Sequence, residues 1–199
     1  MTYLEHLHKD KRLKKAIAGH EPQTLHVRKD IMLELIGSIM SQQLSVKVAA
    51  TLYTRFTALF GTRKPTPAAI LDLPDEVLRG IGLSNAKVQY VKNIARFAQD
   101  EKLTARKLAV KTDEEIIAYL TQIKGVGRWT VEMLLIFSLG REDVFSIDDY
   151  GIQVSMAKVF GLDMQEKKVF REQMRTLSDK WKPYRSYACL HLWKYKDGR

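Results

Sequence analysis

Between Thr121 and Gly151 the chain reads TQIKGVGRWTVEMLLIFSLGREDVFSIDDYG, and two features of this stretch have the residue types and spacing for chemistry. The first is Gly125-Val126-Gly127, set between two apolar helical repeats. Without a Cβ, its glycines permit unusual backbone dihedrals and close approach by an outside group. Amides at such a turn, next to a helix N-terminus, can donate to a phosphate oxygen. The second is the pair Asp148-Asp149, at what reads as the start of a further helix. It can set an ionised carboxylate beside whatever the turn holds. Plainer readings stay open on these residues alone. Gly-x-Gly also makes ordinary tight turns, and an aspartate there also makes an ordinary N-cap, typically contributing about 1 kcal/mol. The two roles are compatible, because a capping aspartate is a well-oriented anion.

The elements that must position these residues are helical. Thr112 and Glu115 have the spacing of a capping box, and Ile116, Ile117, Leu120 and Ile123 then share a face, which predicts a helix over 113–123. Lys124 to Gly127 breaks it. Trp129, Met133, Ile136 and Leu139 form the stripe of a second helix stopped by Gly140, so that a helix-turn-helix unit spans 113–139. After the aspartates, Ile152, Met156, Val159 and Phe160 share a face that Gly161 ends. Elsewhere, residues 2–18 read as one basic amphipathic segment, Asp30 caps a helix through Met40, and Ser45 to Phe60 is another. Gly61 to Pro67 reads as a loop, Pro74 to Arg79 as a short helix and Asn85 to Gln99 as a long one. Gly80-Ile81-Gly82 echoes the later Gly-Val-Gly as a second tight turn. Sustained two-residue alternation is missing, so an all-α fold is expected.

Composition narrows the partner. The 199 residues carry 33 Lys plus Arg against 23 Asp plus Glu, a net charge of +10, which favours a polyanion. No apolar run approaches the roughly 18 residues of a membrane span, and MTYLEHLHKDKRLKK lacks a signal-peptide core, so the expected location is intracellular. The single cysteine, Cys189, excludes an intrachain disulfide and a four-cysteine iron-sulfur cluster. His6, His8, His20, His26 and His191 show no zinc spacing, and no P-loop motif occurs, so no catalytic cofactor is expected. The run Lys9, Lys11, Arg12, Lys14 and Lys15 reads as a solvated basic face, with DNA contact as the alternative.

IKGVGRWT followed by DVFSIDDYG resembles the helix-hairpin-helix plus Gly/Pro-Asp signature of base-excision DNA glycosylases. Three flanking blocks, Ile36–Ala50 (IGSIMSQQLSVKVAA), Ile81–Ala95 (IGLSNAKVQYVKNIA) and Trp181–Trp193 (WKPYRSYACLHLW), are similar to segments of the alkylation-repair branch, the DNA-3-methyladenine glycosylase II type. The blocks are ordered and run from about residue 30 to 195. The best-known bacterial members carry an extra N-terminal β-rich domain, which is not expected in the roughly thirty residues before the first block.

The resemblance implies one glycosylase core of two helical lobes, a central one over about 30–140 and a second from 1–29 plus 141–199, with a DNA and base cleft between them. It implies double-stranded DNA containing damaged bases as partner, no membrane, and a monomer. Asp149, rather than Asp148, matches the catalytic aspartate. Trp129, Met133, Tyr150 and Trp193 match positions around the extruded base. Gln42, Gln43 and Leu44 match the loop that fills the vacated stack, and Gly125, Val126 and Gly127 the grip on the backbone; Arg128, just past the hairpin, reads as a phosphate partner by its position. Main-chain carbonyls of Thr121, Ile123 and Val126 match those that hold a Na+ or K+ ion in relatives. Bifunctional relatives carry a lysine two residues past the hairpin's last glycine, where this chain has Trp129, so a monofunctional hydrolase for alkylated purines is expected. On helical spacing alone Trp129 and Trp193 read better as core residues. Two alternatives remain at this point: a glycosylase of the same fold for uracil, a mismatch or an oxidised purine, and a helix-hairpin-helix DNA binder without catalysis.

Overall fold

The computed structural model describes residues 1–198, and among them the chain forms thirteen α-helices, one 3-10 turn and no β-strand. It divides into two compact units, Val27–Leu134 and Met1–His26 with the chain from Leu135 onward.

The N-terminal segment is two helices rather than the single one expected, α1 (Tyr3–Leu7) and α2 (Lys11–Ala16). Asp10 makes the break: its carboxylate accepts from the Arg12 and Leu13 amides, starting a new helix where periodicity alone would have continued the first. Thr2 and Glu5 form a capping box on α1.

In the Val27–Leu134 unit, α3 (Ile31–Ser41) starts at Asp30, whose side chain accepts from Leu33 N–H, and buries seven apolar residues. Ser45 caps α4 (Val46–Ala58). The expected loop at 61–67 ends in a helix start instead, because Thr66 caps and Pro67 opens α5 (Pro67–Asp72), proline being suited to a first turn where its missing N–H has no role. Then come α6 (Asp75–Gly80), the Gly82 turn, α7 (Asn85–Asp100), α8 (Ala105–Ala109) and α9 (Asp113–Leu120). Helix α7 packs against α3 and α5. Leu35, Ile36, Ile39, Phe56, Ile70, Leu78, Val91 and Ile94 are fully buried here. Each such side chain contributes about 1.5–3 kcal/mol through burial. The Thr112–Glu115 capping box forms as read, but α9 stops at Leu120 rather than at Ile123. The division between the units falls within α10 (Arg128–Phe137).

In the other unit, α11 (Tyr150–Phe160) runs from its Asp149 cap to Gly161, which takes the left-handed conformation at φ 63°. It is followed by α12 (Lys167–Ser178), a 3-10 turn and α13 (Arg185–Lys196). Leu7, Leu13, Ile152, Met156, Phe170, Met174, Trp181 and Leu192 build the core. Cys189 is buried in it. Ser155 Oγ donates to the Leu192 carbonyl at 2.7 Å, fastening α11 to α13. The segment leading to Asp149 is fastened to the same helix. Arg185 grips Asp143 through Nε and Nη2 at 2.7 and 3.1 Å, and Ser186 Oγ donates to Arg141 O while accepting from Val144 N–H.

Candidate active site

In the Val27–Leu134 unit, the hairpin turn is tied down on its inner side. Val126 N–H donates to Ile123 O at 2.9 Å, and Asn93 Nδ2 donates to Lys124 O at 3.1 Å. Its two glycines have different reasons. Gly125 sits at φ +105°, and a Cβ there would lie 2.3 Å from the Tyr90 ring, so the chain's own packing demands glycine. Gly127 has ordinary dihedrals, and a Cβ on it would meet nothing within 4 Å. Its bareness serves no internal contact and leaves the main chain at residue 127, just before α10, open to close approach.

Arg128, expected to pair with a phosphate, is committed elsewhere. Its guanidinium holds Glu114 through Nη1 and Nη2 at 3.0 and 2.6 Å, and Glu132 through Nε at 3.0 Å. Glu132 is only 3% exposed, so the arginine neutralises a buried carboxylate and braces α9 against α10. The carboxylates raise the arginine's pKa further, and Arg128 in turn holds the Glu114 carboxyl below its usual range. All three guanidinium nitrogens of Arg128 are thus engaged by carboxylates of its own unit.

Following α3, Gln42, Gln43 and Leu44 form a turn in which Gln43 takes φ +61°, a left-handed conformation rarely adopted by a residue with a side chain. Gln42 Nε2 donates to Thr130 Oγ1 at 3.1 Å, whereas Gln43 and Leu44 are exposed. Trp129 and Met133 are half-buried on α10 in this same unit.

In the other unit, the two aspartates have separate tasks. Asp148 pairs with Arg171 at the surface. Asp149 is half-buried, and its Oδ1 accepts from Ile152 N–H at 2.9 Å and from the Trp193 indole N–H at 2.8 Å. Trp193 is in turn stacked on Phe137, with ring centroids 5.4 Å apart. Gly151 makes this arrangement possible, since a Cβ there would lie 3.0 Å from Asp149 Oδ1 and 3.1 Å from Trp193 Cδ1. Phe137 and Tyr150 remain 45% and 70% exposed, large apolar faces beside an oriented carboxylate. Trp193 is thus a ligand of the aspartate as well as an aromatic of the site. His191, two residues before Trp193, is fully buried, with its ring nitrogens near Tyr3 and His20.

The sequence profile of the HhH-GPD superfamily of base excision DNA repair proteins matches residues 36–183. The chain belongs to this superfamily. It is similar to named repair enzymes. It is 37% identical over 186 residues to DNA-3-methyladenine glycosylase 1 of Schizosaccharomyces pombe, covering 92% of this chain and 80% of that protein. The solved structure of the S. pombe 3-methyladenine DNA glycosylase Mag1 in complex with abasic DNA superimposes with a TM-score of 0.85 at 34% identity, covering 98% of this chain and 96% of that one. DNA-3-methyladenine glycosidase from Bacillus halodurans gives 0.81 at 32% identity, over 98% of this chain and 89% of that one.

Two residues of this HhH-GPD site escaped the sequence. Phe137 lies four residues after Met133, on the aromatic side of the α10 stripe, but the 129, 133, 136, 139 pattern stepped past it. Gly151 looked like any helix glycine; its position two residues after a capping aspartate was the available signal.

Proposed function

We propose that this protein is a monofunctional DNA glycosylase that extrudes alkylated purines of the 3-methyladenine type from double-stranded DNA and hydrolyses the N-glycosidic bond, leaving an abasic site for base excision repair. One observation carries the reading: the Asp149 carboxylate, fixed by Ile152 N–H and the Trp193 indole, beside the exposed rings of Phe137 and Tyr150.

Extrusion costs a few kcal/mol of unstacking. The Gln42-Gln43-Leu44 turn fills the gap and the Gly125–Gly127 amides hold the backbone. Alkylation at N3 or N7 makes the purine cationic, and a cation over an aromatic face gains about 0.5–2 kcal/mol that the neutral base does not. Tyr150 and Trp193, with Phe137, supply such faces. The same charge weakens the glycosidic bond, so the base leaves without strong acid catalysis. As it departs the sugar becomes oxocarbenium-like, and Asp149 stabilises that charge and orients the attacking water. Trp129 stands where bifunctional relatives have lysine, so no Schiff base forms and the strand stays intact.

A Na+ or K+ ion between hairpin and phosphate would be held by the carbonyls of Thr121, Ile123 and Val126, hard oxygen donors suited to such an ion. Ile123 O accepts from Val126 N–H, and a carbonyl oxygen has a second lone pair with which it could hold such an ion. The ion would neutralise phosphate charge at the grip. No helix among the described residues is long and apolar enough to cross a membrane.

The test incubates the protein with a duplex methylated at purines, identifies released bases by chromatography, and examines the strand before and after hot alkali. Release of methylated purines, with breakage only after alkali, supports the reading. Release of uracil or an oxidised purine instead, or nicking through a trapped covalent intermediate, overturns it.

A further inference from the structure

The Gln42–Leu44 turn is strained and exposed at its tip, which requires something beneath it to hold it. A left-handed Gln43 costs of the order of 1–3 kcal/mol and persists only where its surroundings over-determine it. Lys87, from the first turn of α7, reaches under the turn: its ammonium donates to Met40 O at 3.0 Å and to Gln42 O at 2.8 Å. A cation in a helix's first turn faces the positive end of its own macrodipole, and burial lowers this lysine's pKa, so the position is costly on local grounds. What it serves lies outside α7. The Met40 carbonyl belongs to the last turn of α3, where carbonyls lack intrahelical donors and the dipole favours a positive charge. From α10, Thr130 Oγ1 takes the Gln42 side chain, and within the turn Leu44 N–H returns to Ser41 O. These contacts hold the turn's base and leave Gln43 and Leu44 at its tip.

We propose that Lys87 is a positioning residue for base extrusion, which braces the 42–44 turn in the shape that enters the vacated stack, with Thr130 as its second brace. The proposal rests on the glycosylase reading and extends it to a residue that touches neither base nor sugar.

The test compares Lys87→Met and Thr130→Val with the unmodified protein in single-turnover release of a methylated purine from two substrates, one fully paired and one with the same base held in a looped-out bulge. Only the paired substrate needs the plug. Removing a charged donor should slow release from the paired duplex about 10- to 100-fold, and the neutral hydroxyl about 3- to 10-fold, with release from the bulge unchanged and Lys87→Arg restoring most of the loss. Equal loss on both substrates, or no loss on either, overturns the proposal. If Lys87→Met fails to fold, Thr130→Val decides by the same comparison. Absence of release by the unmodified protein from both substrates would instead count against the glycosylase reading itself.

Discussion

The indole nitrogen of Trp193 donates to the same carboxylate oxygen of Asp149, at 2.8 Å, that accepts the Ile152 amide at 2.9 Å. One oxygen thus carries two donors from α11 and α13, and the carboxylate plane is set by helices rather than by solvent. Trp193→Phe keeps an aromatic ring against Phe137 and removes the donor along with the second ring of the indole. Base release should slow about 10-fold with substrate affinity little changed, a kcat effect readable by separating kcat from KM.

Gly151→Ala separates stability from catalysis. Alanine is the better helix former by about 1 kcal/mol, yet its methyl would sit 3.0 Å from Asp149 Oδ1 and 3.1 Å from Trp193 Cδ1. Thermal unfolding should therefore move little, while excision falls about 10-fold through displacement of the carboxylate. Unchanged excision would show that the Asp149–Trp193 contact does not govern the rate.

The hairpin glycines should respond differently to alanine. Gly125→Ala meets both a positive φ and the Tyr90 ring, and should destabilise the fold by more than about 1 kcal/mol in urea unfolding. Gly127→Ala meets no atom of the protein within 4 Å, so its stability should stay while affinity for duplex DNA falls. Unchanged affinity in Gly127→Ala would remove the phosphate grip from this turn.

A second titratable group shapes stability. Burial pushes the His191 imidazole down to about 4, with further lowering from His20, Lys194 and His8, and burial lowers His20 as well. Nδ1 of His191 lies 3.3 Å from Nδ1 of His20, and its Nε2 lies 3.5 Å from the Tyr3 hydroxyl. Because the folded state resists a proton that the unfolded chain accepts near pH 6.5, the stability from this group is complete above that pH. It is lost as pH falls from there towards about 4. Denaturant titrations at pH 7 and pH 4.5 should show the loss, and His191→Gln should flatten it.

Much of the fold was legible because its signals are local. The Thr112–Glu115 box, the Asp30 and Asp149 caps and the Gly161 stop each depend on residues within one turn, and each forms as read. Where a local signal competed with periodicity, as at Asp10 and at Thr66-Pro67, the cap prevailed and split or created a helix. Contacts between distant positions were not legible. Trp193 and Asp149 are 44 residues apart, and Lys87 and Gln42 are 45 apart, so no spacing rule links them. Arg128 shows the same limit: beside a hairpin it reads as a phosphate ligand, and no spacing rule announced its ion pair with Glu114, 14 residues away.

The most direct test is Asp149→Asn. Asparagine caps helices as well as aspartate does, and its carbonyl oxygen can still accept from Ile152 N–H and the Trp193 indole, so the fold is kept and only the charge is removed. In single-turnover reactions on methylated duplex, release of the damaged base should fall at least about 100-fold while DNA affinity is retained or rises. Release within about 10-fold of the unmodified rate by a folded Asp149→Asn protein would contradict the account.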